Sequence, residues 1–516
     1  MDKSKKIIGS WLIFPTLLLI YLAFPTRNYF WDGIDFAQTV EDTHCLCGPL
    51  IHPSHLVYNA LGYLAYKAAQ SIDPHLRALP VMQFVNSVLS VLAAYVFFLI
   101  LQASLRSRCL SLLLTLCFAF SVTWWKFSTD ADAYVPAVLC LLITFYLLLP
   151  GRHPRPLLVA LAFSASMCFH QLAIVFYPVM ALGLWLQQPM LAPRRRAWLV
   201  VQAGVVACLL TSAAYYGGFR LQTGTHSLRE FAHWITYHSP DTSFTFSPWS
   251  STGHTLRGQV RLFVGGRFNY IVGLVNPLII ALIVVLVVLA MVLGYDLIRS
   301  FKQGGDSLEL PPKQNAETKA LLLLCVVWIL SYNAFLFVWL PFHTFYRLFY
   351  LPAVILAGGI LLVTKTHSNN RNLLKRVALL ISIMAGANFL FLIFPYAHVQ
   401  KNPPLQMALG MAKLWLPGTV IYYGESNTDN RLFKYFYPTL EWRQLTPARW
   451  DEFEGELQRT YAQGHTAWLE VTASERIAAA PGGPAWLNAH TRGQPRYELH
   501  DPAFKIRYIQ VMPLQP

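Results

Sequence analysis

The chain has 516 residues, of which 55% are hydrophobic and only 13% are charged, and its mean hydropathy is +0.42. This composition excludes a soluble domain of the same length and indicates a membrane protein. The net charge of +15 would suggest nucleic-acid binding in a soluble protein, but in a membrane protein it should collect in short cytoplasmic loops, so we expect no nucleic-acid partner.

Apolar runs long enough to cross a bilayer recur along the chain and predict about eleven transmembrane helices. The fifth and sixth runs are short and meet near His170. The predicted spans are Ile7–Phe24, Leu79–Leu101, Cys109–Trp125, Ala133–Leu149, Leu157–His170, Leu172–Leu186, Ala197–Tyr216, Ile271–Ile298, Ala320–Leu340, Leu348–Thr364 and Val377–Phe394.

Basic residues fall in every second connection between these spans, as the positive-inside rule requires when the N-terminus is cytoplasmic. Arg194–Arg196 is the densest of these basic connections. A miscounted span would break the alternation, which supports splitting the run at His170. Ile7–Phe24 could be a signal peptide, but no small-residue cleavage site follows it, so we interpret it as a retained anchor.

This topology predicts two large outer loops, 25–77 and 217–270, within a transmembrane domain of residues 1–394. Residues 395–516 contain no spanning run and, at about 120 residues, are long enough to fold as a non-cytoplasmic soluble domain. In that domain, residues 418–423 predict a strand ending at Gly424, and Asp451–Tyr461 predicts a helix. We therefore expect a small α/β domain after the membrane part.

Ionisable residues at the outer ends of spans are expensive and usually functional, which makes the acidic stretch after the first span a candidate site. Asp32 and Asp35 are three residues apart and would share one face of a helix. Neighbouring carboxylates tend to raise one pKa and so supply a base. The alternative is a solvated acidic loop.

Two histidines, His52 and His55, open an amphipathic stretch that could lie in the membrane interface. Cys45 and Cys47 precede them with a single intervening residue. This spacing is poor for a disulfide or a zinc site, so we predict no metal centre there.

Two further outer connections carry polar groups beside aromatic residues. The first contains Lys126, Asp130, Asp132 and Tyr134, and an aromatic belt at the membrane surface is its commoner meaning. The second contains Arg347, which either anchors the chain by extending its charge to the interface or binds a phosphate.

In this order the motifs resemble the GT-C superfamily of polyprenyl-phosphate-dependent glycosyltransferases. The closest branch contains a eukaryotic transmembrane protein O-mannosyltransferase and its uncharacterised bacterial relatives. Asp35 and Asp132 replace glutamates of that branch, and Ser54-His55 replaces Pro-Gly, which leaves the acceptor open. The matching motifs are Asp32-Gly33-Ile34-Asp35, His52-Pro53-Ser54-His55-Leu56-Val57-Tyr58, Trp125 with Asp132-Ala133-Tyr134, Phe169-His170-Gln171, and Gly424-Glu425-Ser426-Asn427-Thr428-Asp429.

The resemblance implies a polytopic α-helical membrane protein with a GT-C-like core. It implies an inverting transfer from a polyprenyl-phosphate-linked sugar donor to a hydroxyl of a protein or glycan acceptor on the periplasmic or luminal face. Asp35 would be the base and Asp32 would orient it. A cofactor is not implied, and a divalent cation depends on the carrier. The substrate-binding residues implied are His52, His55, Lys126, Asp130, Asp132, Tyr134, His170, Arg267 and Arg347.

Two other functional classes stay open at this point. A transporter or flippase of a lipid-linked or small substrate usually shows paired repeats with broken helices near the midplane, and we find no such pairing. A non-catalytic membrane assembly protein would use residues 395–516 for binding. No asparagine begins an Asn-x-Ser/Thr sequon, which favours a bacterial inner membrane, with the C-terminal domain in the periplasm.

Overall fold

The computed structural model describes residues 12–236, 247–266, 285, 288–289, 291–295, 312–365, 371–411, 415–424, 428–445, 450–501 and 504–512. The chain divides into two compact units. The first consists of Met1–Thr26 and Thr39–Phe394, and the second of Arg27–Gln38 and Pro395–Pro516. The acidic stretch that holds Asp32 and Asp35 therefore belongs to the same compact unit as the C-terminal residues.

The first unit is helical. The helices that begin before residue 395 and whose bounds lie within the described residues are α1 Ile13–Ala23, α2 Trp31–Asp42, α3 Tyr58–Gln70, α4 Ala78–Leu105, α5 Arg108–Phe120, α6 Val122–Ser128, α7 Tyr134–Leu147, α8 Pro156–Phe169, α9 Tyr177–Gln187, α10 Pro193–Thr223, α11 Leu228–Thr236, α12 Pro248–Phe263, α13 Pro312–Trp339, α14 Leu351–Lys365, α15 Arg371–Asn388 and α16 Phe394–Ala397. Of these, α2 up to Gln38 and α16 from Pro395 belong to the second unit.

Four stretches of the described chain are long and apolar enough to cross a membrane: α4, α10, Asn315–Trp339 within α13, and Arg371–Ala397. The bent pair of α5 and α6 would make a fifth. The other apolar helices have 10–17 residues. The chain is therefore an integral membrane protein, but the predicted number of eleven spans is not confirmed, and most of the predicted span Ile271–Ile298 lies outside the described residues.

Helix α7 lies at the centre of the first unit, packed between α4 and α8. It is apolar all round, and residues on every side of it are buried, including Val135, Ala137, Val138 and Leu142. A helix of this composition has no face suited to water, which explains its position. Its first residue, Tyr134, consequently projects from a rigid element.

The ends of three helices are joined by one buried amide. The bend of 68° between α5 and α6 occurs at Ser121, whose extended ψ of 136° interrupts the helical hydrogen bonds. Asn388 Nδ2 donates to the carbonyl oxygens of Phe120 (2.9 Å) and Phe263 (2.7 Å), and its Oδ1 accepts from the N–H of Gly265 (3.3 Å). Because a buried carbonyl without a donor costs about 1–3 kcal/mol, this side chain stabilises the ends of both α5 and α12.

The second unit contains an α/β domain. Two of its elements confirm predictions from the sequence, namely the strand before Gly424 and the helix around Asp451–Tyr461. Its helices are α17 Pro403–Met411, α18 Thr428–Phe436, α19 Trp450–Ala462, α20 Val471–Ala479 and α21 Gly483–Thr491, and its strands are β1 Val420–Tyr423, β2 Glu441–Gln444, β3 Ala467–Glu470, β4 Arg496–Asp501 and β5 Phe504–Val511.

The five strands form one sheet in the order β2-β1-β3-β5-β4. The pairs of β1 with β2 and with β3 are parallel, and the pairs involving β5 are antiparallel. Both faces are covered: Tyr422 and Leu469 pack in one apolar cluster, and Ile421 and Trp468 pack in the other. Burial on both faces is the usual environment of parallel strands.

The Cys45–Cys47 spacing was misjudged from the sequence. The two residues form a disulfide, with Cα atoms 5.3 Å apart. The backbone at Cys47 is extended, so neighbouring side chains two positions apart can point to the same side and meet. In the part of the chain that the structure describes, no group of three or more His, Cys, Asp or Glu side chains is arranged to hold a metal ion.

Candidate functional site

The two histidines of the His52-Pro53-Ser54-His55 motif belong to a group of neighbouring side-chain rings in the first unit. We call His52, His55, Tyr134 and His170 the ring cluster. Pro53 begins a 3-10 turn, Pro53–His55, and His52 Nδ1 accepts from the Ser54 N–H at 3.2 Å. The ring of His55 is buried, with its centroid 5.6 Å from that of His52 and 4.7 Å from that of His170. Burial lowers the pKa of His55 well below 6.5, and the two neighbouring histidines lower it further. His55 therefore contributes a neutral ring.

His170 meets this cluster where α8 ends and the 3-10 segment Gln171–Phe176 begins. Its Nδ1 accepts from the Leu172 N–H at 3.1 Å and so caps that segment. In a neutral ring this arrangement assigns the proton to Nε2, which becomes a donor. The centroid of the Tyr134 ring lies 5.1 Å from that of His170. His170 is thus a buried capping residue that also forms part of the ring cluster.

The 3-10 turn Phe345–Phe349 supplies aromatic rings to the same cluster. Phe345 stacks on Tyr134 with centroids 5.4 Å apart. The ring of Tyr346 lies 5.8 Å from both Tyr134 and His170. Because Arg347 lies in the same turn, packing of these rings also fixes the backbone from which its side chain extends.

The turn after α6 adds charged groups beside the cluster, since Phe127 contacts Tyr134 at a centroid distance of 5.2 Å. Lys126 and Asp130 form an ion pair across one helical turn, and the carboxylate of Asp130 is fully buried. Asp132 is also fully buried. Lys126 therefore already has an anionic partner in this structure.

Three polar residues of α4 hold this turn, and the motif search missed them. Asn86 Nδ2 donates to the carbonyl oxygens of Asp130 (2.8 Å) and Asp132 (2.7 Å). Gln83 Nε2 donates to Thr129 O and Ser87 Oγ to Ser128 O. The missed signal was their spacing: residues 83, 86 and 87 share one face of an otherwise apolar helix.

Arg347 is completely buried, in contrast to an interfacial anchor whose charge would reach water. Its Nη2 donates to Pro341 O at 2.7 Å, and its Nη1 donates to the Tyr350 hydroxyl at 3.1 Å and to Asn333 Oδ1 at 3.5 Å. Gln259 Nε2 donates to the same hydroxyl and amide oxygens, each at 2.7 Å. The sequence search did not find Gln259, Asn333 or Tyr350.

The environment of Arg347 lacks a counter-ion. Its three acceptors are neutral, Nε has no hydrogen-bond partner, and no carboxylate pairs with it anywhere in the described part of the chain. Helix α12 passes directly over the side chain at Gly258, where a Cβ would lie 2.2 Å from Nε. A buried cation without an anion is costly, so this position is suited to an anionic ligand.

Asp32 and Asp35 lie on α2 in the second compact unit. Asp35 is half-buried, and its Oδ2 lies 2.8 Å from Nη1 of Arg431 on α18. Burial raises the pKa of Asp35 above 3.8, while the charges of Arg431 and Lys434 oppose that shift. A carboxylate with a raised pKa is a better proton acceptor at neutral pH than an ordinary one.

The structure thus brings together the predicted residues that lie in the first unit. Arg267 lies outside the described residues. Arg257 and Arg261, from the same outer loop, are exposed on α12. The predicted residues in or beside the ring cluster are His52, His55, Lys126, Asp130, Asp132, Tyr134, His170 and Arg347.

No protein-family model matches the chain, and no curated protein matches its sequence. Two crystal structures of ArnT from Cupriavidus metallidurans are similar to it. The apo form has a TM-score of 0.49 and 11% identity and covers 98% of this chain and 98% of that one. The form bound to undecaprenyl phosphate has a TM-score of 0.47 and 11% identity, covering 99% of this chain and 98% of that one. We draw no functional conclusion from either likeness.

Proposed function

We propose that this chain is a GT-C-type membrane glycosyltransferase that moves a sugar from a polyprenyl-phosphate carrier to an acceptor hydroxyl. The observation that carries the proposal is the buried guanidinium of Arg347. In the described part of the chain, all of its hydrogen-bond partners are neutral. A guanidinium presents parallel donors that match the oxygens of a phosphate. The order of the sequence motifs supports the same function independently.

The carrier phosphate would be bound chiefly by Arg347. Lys126 is a weaker candidate because Asp130 already neutralises it. As the bond between the anomeric carbon and the phosphate oxygen breaks, negative charge grows on the leaving phosphate, and a preorganised cation stabilises that charge. Lys126 and Asp130 would then orient the donor rather than carry the charge.

The sugar would lie against the ring cluster of His52, His55, Tyr134 and His170. These side chains offer ring faces together with neutral hydrogen-bonding groups, which suit an uncharged polyhydroxylated ligand better than an ion. The Nε2–H of His170 is a donor that the cap on Nδ1 holds in place.

The base would be Asp35, with Asp32 orienting it or sharing its proton. In an inverting displacement the acceptor oxygen forms a bond to the anomeric carbon while its proton passes to the carboxylate. The raised pKa of Asp35 supports this assignment. The acceptor would be a protein or glycan hydroxyl on the periplasmic face of a bacterial inner membrane.

The test is release of sugar from a purified polyprenyl-phosphate-linked donor by the full chain in nanodiscs. We expect transfer that is lost in Arg347→Met and in Arg347→Lys, because a lysine cannot reproduce the guanidinium fork. Arg195→Gln, at an exposed residue in the first turn of α10, is the matched charge control and should be normal. Movement of intact donor across a bilayer without cleavage would indicate a transporter, and donor binding with neither activity would indicate an assembly protein. Either result would overturn the proposal.

A further inference from the structure

Helix α12 carries two longitudinal stripes on opposite sides. The buried stripe faces the first unit, and its members are Ser251, Gly258 and Leu262. The second stripe is apolar and exposed, and its members are Trp249, Leu256 and Val260, which are 89%, 64% and 66% exposed. Each residue of the exposed stripe lies two positions in sequence from a residue of the buried stripe. Two positions correspond to a rotation of about 200° around a helix, so the two stripes lie on opposite sides.

The exposed stripe therefore points directly away from the protein, where a helix in water would be polar. Two cations flank it: Arg257 and Arg261 each follow a stripe residue by one position and are exposed. A short helix with one apolar exposed face and arginines beside it has the composition of a helix lying in a membrane interface. A tryptophan at one end of the stripe is typical of the same depth.

The contacts of α12 attach its C-terminal end to two of the apolar stretches that could cross a membrane, the bent pair of α5 and α6 and Arg371–Ala397. The Thr123 hydroxyl at the bend between α5 and α6 donates to Arg261 O at 2.8 Å, and Asn388 of α15 holds Phe263 and Gly265. The C-terminal end of the helix is thus attached to apolar helices of the first unit, rather than extending into solvent.

We propose that α12 lies in the interface at the outer face of the membrane that the chain spans, where it is a docking surface for the bilayer. Trp249, Leu256 and Val260 would lie among the lipid chains, and Arg257 and Arg261 would bind anionic phospholipid head groups. Charge complementarity identifies the occupant: the flanking residues are cationic, and anionic head groups carry phosphate that arginine binds well. The opposite face of the same helix contributes Gly258 and Gln259 to the surroundings of Arg347. The inference does not depend on the proposed transferase activity.

The experiment places photoreactive benzoylphenylalanine singly at positions 249, 256 and 260 of the full chain, with exposed Gln463 of the C-terminal domain as the control position. Each protein is reconstituted in nanodiscs of phosphatidylcholine, alone or mixed with phosphatidylglycerol, and cross-linked lipid is identified by mass spectrometry. We expect lipid adducts at the three stripe positions and few at position 463.

Charge is tested by combining the label at position 256 with Arg257→Gln and Arg261→Gln. In the parent chain, the ratio of phosphatidylglycerol adducts to phosphatidylcholine adducts should exceed the ratio of the two lipids in the nanodisc by roughly fivefold per arginine, and the double variant should lose this enrichment. Loss of enrichment with adducts retained supports the docking surface and its charge preference together. Adduct yields equal to those at position 463, or cross-links to a second protein chain in place of lipid, would overturn the proposal, as would enrichment that persists in the double variant.

Discussion

Arg431 holds the carboxylate of Asp35 at 2.8 Å, and both residues belong to the second compact unit. The pair opposes the rise in pKa that burial causes. Arg431→Gln should therefore raise the pKa of Asp35 further, so that the carboxylate form is lost at a higher pH. If Asp35 is the base, the acidic limb of the profile of kcat/KM against pH should move to higher pH.

Two related variants control this prediction. Lys434→Gln should shift the limb in the same direction but less, because its charge is the smaller influence on Asp35. Arg431→Lys keeps the charge and should shift it least. An acidic limb in Arg431→Gln that coincides with that of the parent chain would show that Asp35 is not the titrating base.

Asp35→Asn should abolish transfer while the protein remains folded and binds the lipid donor. An ion pair as exposed as this one is worth at most about 1 kcal/mol, so the free energy of unfolding should change little. Loss of a general base should lower the turnover rate by about 10² to 10⁴. Single-turnover transfer, with thermal unfolding in detergent as the folding check, measures both effects.

Asp32→Asn should produce a milder loss if Asp32 only orients the base. Near-normal turnover in Asp35→Asn with an inactive Asp32→Asn would exchange the two assignments. Normal turnover in both variants would leave an acidic helix face without catalytic function and would contradict the proposed mechanism.

Gly258→Ala should lower both stability and donor affinity. The new Cβ would lie 2.2 Å from Arg347 Nε and 2.9 Å from Cζ, so the guanidinium must shift away from Pro341 O and Tyr350. Such overpacking typically costs about 1–3 kcal/mol. Gly253→Ala in the same helix is the matched control, because nothing lies within 4 Å of its Cβ position. It should be neutral or stabilising by roughly 0.5–1 kcal/mol, as judged from thermal unfolding. Equal effects of the two substitutions would contradict the packing described for Arg347.

Asn86→Leu should destabilise the protein by about 1–3 kcal/mol, because two buried carbonyl groups, those of Asp130 and Asp132, lose their amide donor. Ser90→Ala is the comparison on the same helix. Ser90 is buried, but its hydroxyl has no hydrogen-bond partner among the described residues, so its loss should change stability by no more than about 0.5 kcal/mol. The measurement is the midpoint of thermal unfolding of each variant. An unchanged midpoint in Asn86→Leu would show that the turn after α6 does not depend on the Asn86 amide.

The basic stretch Arg194–Arg196, in the first turn of α10, should be cytoplasmic, and residues after Pro395 should lie outside. A cysteine placed at exposed Arg195 should resist a membrane-impermeant maleimide applied from the outer face, and one at exposed Gln463 should react. The chain should carry no other reactive thiol in this assay, so the free cysteines are first replaced. Strong labelling at position 195 would reverse the topology and contradict the outer-face assignment of the site.

Regular patterns were predictable from the sequence, whereas contacts between distant segments were not. Hydropathy located α4 and α10, and the run of residues 418–423 ending at Gly424 located β1, because each depends on residues close together in the chain. The role of Asn86 was not predicted, because the carbonyl groups to which its amide donates lie more than forty residues away in sequence. The same holds for Gln259, which meets Tyr350 across 91 positions of sequence.

Asp35 shows a second limit. A carboxylate pair on one helix face could be recognised, but its cationic partner comes from a helix almost four hundred residues later. No local pattern connects α2 with α18, so the sequence assigned Asp35 to an outer loop of the transmembrane domain. The charge on Arg431 that adjusts its pKa could be found only from the fold.

The side-chain amide of Asn388 restricts which segments of this chain can be exchanged with those of a related protein. It forms hydrogen bonds with the C-terminal ends of both α5 and α12, although these helices are separated by more than a hundred residues in sequence. A chimera that imports α15 from a related protein with an apolar residue at this position would leave carbonyl groups of two host segments without donors. We therefore expect functional chimeras only when the exchanged fragments include all three partners, so that α5, α12 and α15 are inherited as one set despite their distance along the gene.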